Sequence, residues 1–135
     1  FENEVMIEIL DQITKRNGSP RKMVIDTTGS VIYTTGSVLK RLKELSSIIY
    51  LDIPEEKKQE IYQEFLRNPK PIIWGDAFKP REHESNDEAL ARCYQELLSF
   101  RAKRYEKIAD ITIPFDLHRQ EGFTAPDFIE HITSA

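Results

Sequence analysis

Residues 22–30 read Lys22-Met23-Val24-Ile25-Asp26-Thr27-Thr28-Gly29-Ser30. Met23, Val24 and Ile25 form a short apolar run that ends in a carboxylate. Thr27-Thr28-Gly29-Ser30 then breaks the run with small polar residues and a glycine. A brief apolar run bounded in this way predicts a buried parallel strand over 23–26 that leads into a functional turn. Ligands of open α/β sheets bind at the carboxyl ends of strands. Asp26 and the turn after it are therefore expected at such an end. An ordinary core strand with a polar turn carries the same pattern.

A short apolar run closed by Asp also resembles a Walker B strand, whose Asp orients Mg²⁺ near a phosphate. Upstream, Val5, Met6, Ile9, Leu10 and Ile13 recur at helical spacing over Glu2–Lys15. Asn17-Gly18-Ser19-Pro20 is expected to stop that helix. Downstream, Val31–Tyr33 is β-prone, and Thr34-Thr35-Gly36-Ser37 repeats the tetrad of the first turn. Ser37 is placed to cap a helix running to Leu45, with Val38, Leu39, Leu42 and Leu45 on one face. Residues 47–53 are almost wholly apolar, as a strand covered on both faces should be. Pro54 then precedes a helix over 55–67, with Ile61, Tyr62 and Phe65 turned inward.

Residues 68–86 hold three prolines, Gly75, Trp74 and scattered charges, and predict a long irregular segment of the kind that forms lids and binding loops. With so little apolar area to bury, it is also expected to open readily. A helix over 87–107 follows, its apolar face marked by Leu90, Cys93, Tyr94, Leu97, Leu98 and Tyr105. Residues 109–114 predict a third strand, 115–123 a loop with His118 and Arg119, and 126–132 a last short helix. Helices alternating with apolar strands point to an α/β fold with a parallel sheet and right-handed crossovers.

The 135 residues amount to one domain, and 39% hydrophobic content suffices for a core. A net charge of −4 argues against a general nucleic-acid surface, whose signature is a basic stripe. A single cysteine, Cys93, excludes an internal disulfide and a cysteine-rich metal site. No apolar run approaches the roughly 18 residues of a membrane span, so the chain is read as soluble and cytoplasmic, without a membrane partner. His83, His118 and His131 lack ligand spacing.

Several stretches together resemble the C-terminal two-thirds of the shikimate kinase family, in the order that family has them. Glu2-Asn3-Glu4-Val5-Met6 is similar to the start of the helix beneath its acceptor site, and Thr27-Thr28-Gly29 falls on its Gly-Gly-Gly. Ile48-Ile49-Tyr50-Leu51-Asp52 is similar to its "VVYLD" strand, and Lys70-Pro71-Ile72-Ile73 to the "RPLL" of its lid. Arg101-Ala102-Lys103-Arg104-Tyr105-Glu106-Lys107-Ile108-Ala109-Asp110-Ile111 is similar to "RxPLYEEVADI", the most specific of these matches.

The resemblance implies a three-layer α/β/α P-loop kinase-like fold, a single domain fragment over 1–135 with a lid-like segment at 68–86. It implies phosphoryl transfer from ATP, with Mg²⁺, to the 3-hydroxyl of shikimate. On that basis Arg101 holds the acceptor carboxylate, for which a planar two-donor fork is suited. Gly29 and Thr28 line the acceptor site, Lys70 reaches the ATP phosphates from the lid, Asp26 orients Mg²⁺, and Arg119 approaches the adenine. Arg101 also reads as a solvated helix-face cation, and Lys70 as a solvated lid cation that has lost the arginine's fork.

The departures are definite. No GxxxxGK[ST] occurs, so nothing in the chain cradles the β- and γ-phosphates. The family's early Asp and its Phe-Arg acceptor pair are missing too. The resemblance therefore implies an incomplete sheet, lacking the P-loop strand and one other, with a vacant position between residues 23–26 and 47–53. Further chain ahead of Phe1, or a second chain, is expected to complete it. Thr27-Thr28 in place of two glycines resists positive φ and close approach of a substrate. Two functions follow: a kinase for shikimate or a related carboxylate-bearing acceptor, and a non-catalytic kinase-like domain used for binding or scaffolding.

Overall fold

The structure, a computed structural model, describes residues 1–16, 18 and 22–135. It divides into two compact units, Phe1–Ile48 and Ile49–Ala135. Of the predicted helix stop at Asn17-Gly18-Ser19-Pro20, Asn17, Ser19 and Pro20 lie outside the described residues.

The first unit is a pair of packed helices, α1 (Glu2–Lys15) and α2 (Gly36–Leu45). Glu2 and Glu4 in the first turn of α1 and Lys15 in its last suit the helix dipole. Met6 and Leu10, one turn apart, are its buried residues. On α2 the same spacing buries Val38 and Leu42. An Arg41–Asp11 pair at 2.8 Å ties the two helices.

Three expectations fail in this unit. Residues 23–26 form no strand: Val24 is 85% exposed and Met23 43%. Three apolar residues make a strand only where a neighbouring backbone completes the ladder, and without this strand the expected vacancy has no first wall. The β-prone Val31–Tyr33 is a 3-10 turn, closed by Tyr33 N to Ser30 O at 2.9 Å and Thr34 N to Val31 O at 3.1 Å. Those short-range bonds satisfy the backbone locally. At α2 the N-cap position is Thr35 rather than Ser37, and their hydroxyls lie 3.1 Å apart.

The second unit carries the sheet. β1 (Ile49–Leu51) and β2 (Ile111–Ile113) run parallel in the register Ile49↔Ile111, Tyr50↔Thr112 and Leu51↔Ile113. A parallel pair needs a long crossover; here it is a 3-10 turn (Glu55–Lys57), α3 (Lys58–Arg67), the irregular residues 68–85 and α4 (Asn86–Ile108). Helices and a parallel two-stranded sheet make the fold a mixed α/β one. The helix α3 packs on α4. Tyr50, Tyr62, Ala89, Cys93, Tyr94, Leu97 and Ile113 are buried in this unit.

A two-way capping box starts α4, with Ser85 and Glu88 exchanging side chain-to-backbone bonds. The loop expected at 115–123 instead opens with a short helix, α5 (Phe115–His118), because Pro114 presets the backbone ahead of it. The last helix, α6 (Ala125–Thr133), has its own capping box from Thr124 and Asp127. Among the described residues, no helix is long and apolar enough to cross a membrane.

Candidate functional site

In the second unit the irregular segment is strapped to α4. Arg101 Nη2 donates to the Ile73 carbonyl at 2.7 Å. Arg92 Nη2 donates to the Lys79 carbonyl at 2.9 Å. Arg92 also forks onto Glu84, at 2.8 Å from Nε and 2.7 Å from Nη2, and its Nη1 reaches Glu96 at 3.2 Å. The fork to Arg92 holds the Glu84 carboxyl down at about 2 and pushes the guanidinium further up. Between the two arginines, Trp74 sits edge-on to Tyr94 at 6.5 Å and against Phe78 at 5.2 Å. Tyr94 in turn stacks with Phe65 at 4.8 Å and meets Tyr62 at 5.3 Å. Burial raises the Tyr94 and Tyr62 hydroxyls above the usual range. The segment lacks regular structure, as expected, but Trp74 gives it an apolar anchor that its prolines and charges do not suggest.

At the carboxyl end of the sheet, Asp52 N donates to the Ile113 carbonyl at 3.0 Å, carrying the pairing one residue past β1. His118 Nε2 lies 2.9 Å from the Asp52 carbonyl oxygen. A carbonyl only accepts, so Nε2 carries the proton. Phe115 packs edge-on to His118 at 5.4 Å, with Lys57 Nζ 5.6 Å and the Arg119 guanidinium 5.9 Å from its ring centre. Burial first, and then the neighbouring Asp52 carboxylate, pushes the Tyr50 hydroxyl up to about 12.

On the flank of α4, Lys58 is buried although charged. It is paired with Glu55 and donates to Ser99 Oγ at 2.6 Å, which meets the cost of burying an ammonium. Glu55 and Ser99 border a groove of about 780 Å³ along α4. A second groove, of about 480 Å³, lies between α5 and α6 beside Leu117, Phe123 and His131. Neither groove is lined by Lys70, Arg101 or Arg119.

In the first unit, Thr28 Oγ1 and Ser30 Oγ both donate to the Glu2 carboxylate and lie 2.8 Å from each other. The turn is thereby tied to the first residue of α1, and the Thr28 hydroxyl is already committed. Asp26 and Gly29 are exposed on either side.

The predicted site residues thus fall in two sets. Asp26, Thr28 and Gly29 belong to the first unit, and Lys70, Arg101 and Arg119 to the second. Within the second, the strap joins Arg101 to the stretch that contains Lys70, while Lys70 itself is exposed. Arg119 stands at the carboxyl end of the sheet. Among the described residues, no group of three or more His, Cys, Asp or Glu side chains is placed to hold a metal ion.

Arg92, Glu84, Lys58 and the Tyr50–Asp52 pair were not singled out from the sequence. Glu55 and Lys58, three apart, and Arg92 and Glu96, four apart, are helix-face spacings that could have shown two of these contacts. No protein-family model, curated protein or solved structure matches the chain.

Proposed function

We propose that this chain is the acceptor-binding and lid-bearing part of a shikimate kinase-like small-molecule kinase. The reaction is phosphoryl transfer from ATP, with Mg²⁺, to a hydroxyl of shikimate or a related carboxylate-bearing acceptor. One observation carries this reading: Arg101, on the helix with the most specific resemblance, reaches the backbone of the lid-like stretch Lys70-Pro71-Ile72-Ile73 at 2.7 Å. Two stretches far apart in sequence, matched independently to acceptor-binding and lid elements, meet at one guanidinium.

Arg101 would hold the acceptor carboxylate with two parallel bonds. Lys70 would bring a positive charge from the lid, and Arg119 would offer a flat cation to an adenine ring. The residues present do not hold the phosphates of ATP by themselves, because no Gly-Lys phosphate loop is among them. Asp26 alone is one carboxylate for Mg²⁺. Phosphate binding therefore requires a cradle from outside these 135 residues.

Calorimetry on the full-length protein tests the assignment. Arg101→Ala should weaken shikimate binding by about 1.5–3 kcal/mol, the worth of a charged hydrogen bond, or roughly ten- to a hundredfold. ATP binding should stay as it was. Arg101→Lys should restore part of the loss, since it keeps the charge but not the fork. Equal shikimate affinity in wild type and Arg101→Ala would sink the reading. The non-catalytic alternative draws on the Thr28 hydroxyl committed to Glu2, at a position where the family keeps a bare glycine. Ligand binding without phosphoryl transfer from ATP would favour it.

A further inference from the structure

We propose that residues 22–26 are a self-complementary edge through which two copies of this chain pair as an antiparallel ribbon. The inference stands apart from the function proposed above. Lys22-Met23-Val24-Ile25-Asp26 belongs to no helix, strand or turn. Val24 is 85% exposed and Met23 43%, and Ile25 is half-buried. Among the described residues, no hydrogen bond engages the backbone of residues 23–26, and Lys22 and Asp26 join no ion pair. An exposed apolar run with unmatched backbone groups is a template for another chain. Charged residues along such a run would blunt it; here the charges stand only at its two ends, one of each sign.

The order of the residues selects the partner. Turned end for end against itself about Val24, the run sets Lys22 opposite Asp26, Met23 opposite Ile25 and Val24 opposite Val24. Opposite charges and apolar pairs directly across an antiparallel ladder stabilise it. In parallel register the same run sets Lys22 on Lys22 and Asp26 on Asp26, and like charges directly opposite are destabilising. The charges therefore favour a second copy running the other way. Such a contact is isologous, so it closes at two copies instead of growing into a fibre. It also supplies the ladder that the apolar run lacks within its own chain. Two strands this short make a small contact, so the dimer is weak and depends on concentration.

Sedimentation velocity of the full-length protein at low ionic strength should show a monomer that becomes a dimer as concentration rises. Lys22→Glu should raise the dissociation constant roughly tenfold, because it places like charges opposite each other at both ends. The double variant Lys22→Glu with Asp26→Lys brings opposite signs together again and should restore the dimer. Cross-linking reads the register. Val24 lies on the two-fold axis, where directly opposed Cα atoms are about 4.5–5.5 Å apart and within reach of a disulfide. Val24→Cys should therefore oxidise to a covalent dimer and Asp26→Cys should not; the native Cys93 is buried. Circular dichroism checks that each variant folds. A protein that stays monomeric at every concentration overturns the proposal, whether another part of the full-length chain or a different protein covers the run. So does a dimer that Lys22→Glu leaves unchanged, or one that the double variant fails to restore. Val24→Cys that links no faster than Asp26→Cys overturns the antiparallel register.

Discussion

Glu84 meets Arg92 as a two-bond fork, and the fork makes this carboxyl sensitive to acid in a definite direction. Its ordinary value is 4.5, and in the folded chain the bond to Arg92 lowers it to about 2. A carboxyl depressed on folding contributes stability above its unfolded value and loses it as pH falls toward the folded one. That contribution is therefore complete above about 4.5 and lost on the way down to about 2. Glu84→Gln should lower the melting temperature at neutral pH, and the gap to wild type should close across that acid window. Thermal melts followed by circular dichroism check this; a gap independent of pH would mean that solvent and salt screen the fork. The Arg92–Glu96 half of the network is legible from its spacing of four on one helix. The Arg92–Glu84 half is not, because a turn intervenes and only the folded path brings Glu84 back over α4.

Ser85-Asn86-Asp87-Glu88 is a capping-box signature, and the helix begins one residue earlier than its apolar spacing alone predicts. Ser85→Ala should cost about 1 kcal/mol, within the roughly 0.5–2 kcal/mol range of lost N-caps. Urea denaturation measures it, and a change within error would show that water replaces the cap. Helices were the legible elements: Glu2–Lys15 stands where the spacing of its apolar residues put it. Strands were less so. The runs at 47–53 and 109–114 pair only over Ile49–Leu51 and Ile111–Ile113, and the run at 23–26 not at all. A helix closes its hydrogen bonds within itself, whereas a strand borrows them from a neighbour whose position the local sequence does not state.

Each unit has its own buried set, and in the second Leu97 is 1% exposed. Leu97→Ala should destabilise the chain by about 2–5 kcal/mol through lost burial and the cavity left behind. Chemical denaturation followed by the fluorescence of Trp74 reads this, and a loss well under that range would mean that the site collapses around the smaller side chain. Sequence alone settled the positions of α1 to α4 to within a few residues, the irregular character of residues 68–85 and the mixed α/β class. Those features follow from apolar spacing and from proline and glycine placement, which act over a few residues. Tertiary structure decided that the Thr28 and Ser30 hydroxyls go to Glu2, that His118 meets Asp52 across 66 positions, and that Arg101 pins Ile73 across 28. Such partners are chosen by where the backbone passes in space. A guanidinium or a hydroxyl takes whichever acceptor the fold delivers within reach, and nothing in its immediate sequence specifies which one arrives.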